Sequence, residues 1–147
     1  FGSGLVLGIG PAFSLLFNGI HGGAVMAHLT NLGHVGTFYG FISGHSSFEL
    51  VGAALSGAAG LRLGLGLIHP GRRRRIEALR EAGRQGVKLL MGAALLTFIA
   101  AGFEGFWSAN SLVSWKVKVA VGLIFWLLLI FYFVFAGRNG DQKEVRP

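Results

Sequence analysis

Long apolar runs separated by short polar clusters divide this chain into candidate membrane segments. Residues 44–67, GHSSFELVGAALSGAAGLRLGLGL, are long enough to cross a bilayer, for which about 20 mostly apolar residues suffice. Residues 86–106, GVKLLMGAALLTFIAAGFEGF, and 117–136, VKVAVGLIFWLLLIFYFVFA, predict two more spans. Residues 1–17, FGSGLVLGIGPAFSLLF, are apolar but at the short limit, so this helix is expected to start upstream. Pro11 removes one backbone hydrogen bond there and predicts a kink.

The connecting pieces are more broken. Residues 18–34, NGIHGGAVMAHLTNLGH, are too polar to cross; Asn18-Gly19 reads as a turn and the rest as an interfacial or re-entrant helix. His21 and His28, seven apart, share one face of it. Ring hydrogen bonding at headgroup level explains them more simply than metal ligation. Residues 35–43, VGTFYGFIS, are too short to span and predict a dip into the protein and back, tolerated where other helices bury the backbone. His69-Pro70-Gly71 is a helix stop. RRRRIEALREAGRQ then predicts a short amphipathic helix on the inner surface. In it Glu77 and Arg80 form a favourable (i, i+3) pair.

The 44–67 segment organises the rest. An ionisable group at bilayer depth costs at least about 2.5 kcal/mol, so it faces protein or a watery cavity. At about 100° per residue, His45, Glu49, Ser56 and Gly60 fall in one sector, with Arg62 well away from it. Gly52, Ser56, Gly60 and Gly64 recur every four residues and form a stripe for close helix approach, within one subunit or between two.

Composition strengthens the membrane reading. Apolar residues make up 52% and charged residues 13%, against about 25% charged in soluble proteins. With no cysteine, a disulfide framework or thiolate metal site is excluded. The net charge of +7 is concentrated: residues 72–84 hold six arginines against Glu77 and Glu81. Between two apolar segments such a run faces anionic headgroups on the cytoplasmic side, rather than nucleic acid. Arg72, Arg73, Arg74 and Arg75, with Arg62, are therefore candidates for headgroup or partner docking. Arg62 either snorkels to phosphates, pairs with Asp141 or Glu144 of the tail, or docks a cytoplasmic partner such as an ATPase. This places 70–85 inside, the tryptophan-bracketed loop 107–115 outside, and a polar tail at 138–147 inside. Lys116 and Lys118 are expected to snorkel to the outer surface.

Three stretches resemble the stage II sporulation protein M family of polytopic membrane proteins. They are LLFNGIHGGAV (15–25), GHSSFELVGAALSGAAGLRLGLGLIHPGR (44–72), and LREAGR (79–84) leading to FEGFWS (103–108). The second is the specific one. It departs from the family pattern at Gly44, where proline is expected, and at Ser46, where glycine is expected. The resemblance implies an integral membrane scaffold working with peptidoglycan-remodelling partners in the cell envelope.

The expected architecture is all-α: one membrane domain over 1–147, extending beyond both ends. It is a polytopic transmembrane bundle of about four spans with a re-entrant or interfacial outer segment and a short cytoplasmic amphipathic helix. It resides in a bacterial or archaeal cytoplasmic membrane. His45, Glu49 and Glu104 lie toward one face and form a candidate polar cluster. If they meet, the simplest outcome is that His45 hydrogen-bonds Glu49 or Glu104 and fastens the re-entrant segment. A proton- or cation-coupled transport or lipid-handling pathway is a second reading. A divalent metal held by His45, Glu49 and Glu104 and activating water for hydrolysis is a third. No nucleophile–base pair, phosphate-binding glycine loop or HExxH pattern accompanies them, so a scaffold or complex subunit without a cofactor is preferred to an enzyme. Expected partners are membrane lipids with anionic headgroups, other envelope proteins and a second copy of the chain.

Overall fold

The computed structural model describes residues 1–6 and 8–136. A 3₁₀ turn at Gly2–Leu5 precedes helix α1 (Ile9–Asn31), and the short helix α2 (Val35–Ile42) follows. Then come α3 (Ser46–Ile68), α4 (Arg75–Gly102), a π-helical segment (Phe103–Ser108) and α5 (Trp115–Ala136). Among the described residues there is no strand. Three helices are long and apolar enough to cross a membrane: Ser46–Ile68, Arg75–Ser108 and Trp115–Ala136. The tail expected at 138–147 lies outside the described residues.

Helix α3 is the centre, flanked by two antiparallel neighbours. Toward α4 it presents Gly52, Ala59 and Gly66. A Cβ added at Gly66 would lie 3.0 Å from Ala82 Cβ, and one at Gly52 would lie 3.2 Å from the Ala93 carbonyl. Between them, a Cβ added at Gly86 would lie 3.4 Å from the Ala59 carbonyl. The other face of α3 receives the N-terminal segment. A Cβ at Gly60 would lie 2.6 Å from Pro11 Cγ, and one at Gly57 would lie 2.5 Å from Leu15 Cδ1.

This arrangement corrects the expected four-residue stripe. Gly52 packs with α4, whereas Gly60 and Gly64 are buried on the side of Phe1, Gly8 and Pro11. The face toward α4 repeats every seven residues, the period that keeps a seam aligned between helices inclined at a small angle. A four-residue stripe drifts off that seam around the helix.

Three further expectations fail for local reasons. Pro11 does not kink a helix, because α1 starts at Ile9; the missing N–H falls among the first-turn donors that have no intrahelical acceptor anyway. Asn18-Gly19 does not turn the chain. Asn18 Nδ2 instead donates to the Ser14 carbonyl at 2.8 Å, and α1 runs through as one helix rather than a span plus an interfacial piece. The arginine-rich amphipathic stretch is likewise not a separate helix. It is the first part of the 28-residue α4, since isolated glycines at 83 and 86 weaken but do not end a helix. Glu77 accepts the Arg74 backbone N–H at 3.3 Å, closing the open N-terminus of α4 as an N3 glutamate does.

Continuity of α1 has a measurable consequence. Among the described residues, nothing lies within 4 Å of a Cβ added at Gly19 or Gly23, so alanine at either is expected to stabilise the helix by up to about 1 kcal/mol. Slower amide exchange across 16–25 in micelles would register this, whereas a turn at Asn18-Gly19 would give no gain.

Candidate functional site

The end of the bundle opposite the arginines gathers the buried polar side chains. His45 caps α3 and is only 5% exposed. Its Nδ1 lies 3.0 Å from Ser108 Oγ, and its ring meets Phe41 edge-on with centroids 5.3 Å apart. The contact depends on the π-helical segment. There the Ala109 N–H donates to the Glu104 carbonyl, a five-residue step that widens the helix. The wider turn brings Trp107 and Ser108 against Gly44, where an added Cβ would lie 2.9 Å from Trp107 Cδ1 and 3.2 Å from Ser108 Oγ.

Ser108 also joins α5. Its carbonyl accepts a hydrogen bond from Lys118 Nζ at 2.8 Å, and Lys118 is 7% exposed. This corrects the expectation that Lys118 snorkels outward; Lys116 alone of the pair is exposed. Trp115, Lys118 and Gly122 share one face of α5 by their three- and four-residue spacing. That face packs on α2 and the residue after it. A Cβ at Gly40 would lie 2.8 Å from Trp115 Cβ, and one at Gly122 would overlap the Ser43 carbonyl. Phe48, Phe103 and Phe125 close this end with ring centroids 4.8–5.7 Å apart. Ser47 Oγ and Trp107 Nε1 are buried there without a hydrogen-bond partner among the described residues.

The two glutamates take no part in this junction. Glu49 is exposed on α3 and borders a groove of about 740 Å³ with Gly52, Ser56 and Thr97, between α3 and α4. Glu104 is exposed on the π segment. Among the described residues, no group of three or more His, Asp or Glu side chains is gathered to hold a metal ion. The triad His45, Glu49 and Glu104 is therefore not assembled as a metal centre, because one member is turned inward to Ser108 while the other two are exposed. His21 and His28 are both exposed on α1, with His21 stacked on Phe17. At the opposite end, Arg62, Arg72 and Arg73 border a groove of about 600 Å³ with His69, Glu81 and Gln85. Arg74 and Arg75 are exposed beside it.

Residues 1–109 match the family described as Stage II sporulation protein M (SpoIIM). The chain belongs to that family. No curated protein and no solved structure is significantly similar to it. The SpoIIM match takes in α1 to α4 and the π segment, including His45 and Ser108, whereas α5 with Lys118 lies beyond the matched residues. Together with the apolar helices, SpoIIM membership makes this an integral membrane protein.

Proposed function

We propose that the chain is an integral membrane scaffold, or a subunit of a cell-envelope complex, acting through its assembly rather than through chemistry of its own. The observation that carries this reading is the use made of the buried polar groups. His45 and Lys118 both bind Ser108, so they fasten the cap of α3, the π segment and α5 to one another. Buried hydrogen bonds that join separate elements in this way favour one arrangement of those elements over others.

In this reading α1 is a fourth membrane-embedded helix, lying antiparallel beside α3, and α2 is the short re-entrant connection. The arginine-rich loop and the C-terminus face the cytoplasm, as the excess of basic residues in a short loop favours. Arg62, Arg72 and Arg73 then meet anionic headgroups or a cytoplasmic partner at the inner surface. Envelope proteins that remodel peptidoglycan, to which the family resemblance points, are the partners proposed.

A second reading rests on Glu49, which borders the α3–α4 groove; in it the residue serves a coupled transport or lipid-handling path. The two readings diverge in one experiment. In a deletion strain complemented with the E49Q/E104Q double variant, a scaffold keeps wild-type function and wild-type complex size. A variant that folds and assembles normally yet abolishes function would favour transport and reject the scaffold.

A further inference from the structure

Lys118 has more hydrogen-bonding capacity than the protein uses. An ammonium carries three N–H donors, and among the described residues one acceptor, the Ser108 carbonyl, takes one of them. The side chain is 93% buried on its exposure of 7%, and a buried cation without an opposite charge is costly. Lys118 also borders a cavity of about 520 Å³ between α2, the π segment and the loop before α5, a volume in the range of small-molecule sites. Among the described residues, no Asp or Glu lines that cavity.

The other polar groups around it are suited to an anion. Thr37 and Ser111 contribute hydroxyls, and Asn110 contributes an amide. Asn110 Oδ1 already accepts the Leu112 N–H at 2.9 Å, which leaves its Nδ2 as a donor. Trp115 begins α5 and also borders the cavity, so the positive end of that helix adds to the field. Apolar surface from Trp115 gives the rest of a ligand somewhere to lie.

We propose that this cavity is a binding site for a phosphate group, held by Lys118 Nζ with Asn110 and Ser111, at the membrane face opposite the arginine run. The phosphate belongs either to a lipid headgroup or to a free phosphate at that surface. The site is separate from the arginine groove and does not depend on the scaffold reading.

The test uses the purified full chain in neutral detergent, titrated calorimetrically with dihexanoyl phosphatidylglycerol and, separately, with inorganic phosphate. The wild type is expected to bind at least one of them saturably. K118M is expected to weaken binding about tenfold or more, the usual scale for losing a hydrogen bond to a charged group, while K118R stays within a few-fold. Binding of the lipid alone identifies a headgroup, and competition by inorganic phosphate identifies the free anion. Should K118M fail to fold, N110D decides: it keeps the acceptor for the Leu112 N–H but adds a negative charge, and must also weaken binding about tenfold. No saturable binding by the wild type, or unchanged affinity in folded K118M or N110D, overturns the proposal.

Discussion

Gly122→Ala is expected to destabilise the folded chain by about 1–3 kcal/mol or more, the cost of overpacking a close contact. The added Cβ would overlap the Ser43 carbonyl and lie 2.9 Å from Ser43 Cβ. Two of the three nearest atoms are backbone, so a side-chain rotation does not relieve the clash. The helix must move, and with it the face that holds Trp115 and Lys118 against α2. Gly4→Ala presents the same problem at the other end, where the new Cβ would overlap the Gly60 backbone. Gly22→Ala supplies the contrast. Among the described residues nothing lies within 4 Å of the added Cβ, and alanine is the better helix former, so a gain of up to about 1 kcal/mol is expected. Thermal unfolding followed by circular dichroism in one detergent compares all three. Equal midpoints for Gly122→Ala and Gly22→Ala would mean that α5 does not approach Ser43 as described.

His45→Ala is the second large effect, with an expected loss of about 2–4 kcal/mol. It empties a buried site against Phe41 and leaves Ser108 Oγ without its partner. The interaction is separable from the rest of the junction, because Ser108→Ala removes the hydroxyl and keeps the carbonyl that Lys118 uses. A double-mutant cycle between His45→Ala and Ser108→Ala is expected to give a coupling of about 0.5–3 kcal/mol. The cycle of His45→Ala with Glu104→Gln is expected to be additive, since Glu104 is exposed. A reversed pattern would restore the histidine–carboxylate pair that spacing suggested.

The residues differ in how legible they were. Apolar runs located the α3 and α5 spans, and His69-Pro70-Gly71 located the end of α3, because composition and proline chemistry act locally. Continuity was harder to read. Asn18-Gly19 has turn chemistry, but Asn18 bonds back to the Ser14 carbonyl within the helix, and an isolated glycine weakens a helix without ending it. The polar junction was half legible. His45 stood out as an ionisable group in an apolar segment, but its partner came from 63 residues away. That partner was turned inward by a π-helical step that no spacing rule anticipates. Lysines near a span end usually snorkel, whereas Lys118 is held inward by the Ser108 carbonyl. Its signal is the Trp115, Lys118, Gly122 spacing, which puts Trp115 and Lys118 against α2 at Gly36 and Gly40 and Gly122 against Ser43.

In the proposed topology α3 and α4 cross the membrane, with the Ser108 junction at one face and the arginine run at the other. The chain has no cysteine, so single cysteines at Leu112, 92% exposed, and at exposed Arg73 report it directly. With a membrane-impermeant maleimide on intact cells, Leu112→Cys is predicted to label at once and Arg73→Cys only after permeabilisation. Labelling of both from the same side, or release of the chain by alkaline carbonate, would contradict it.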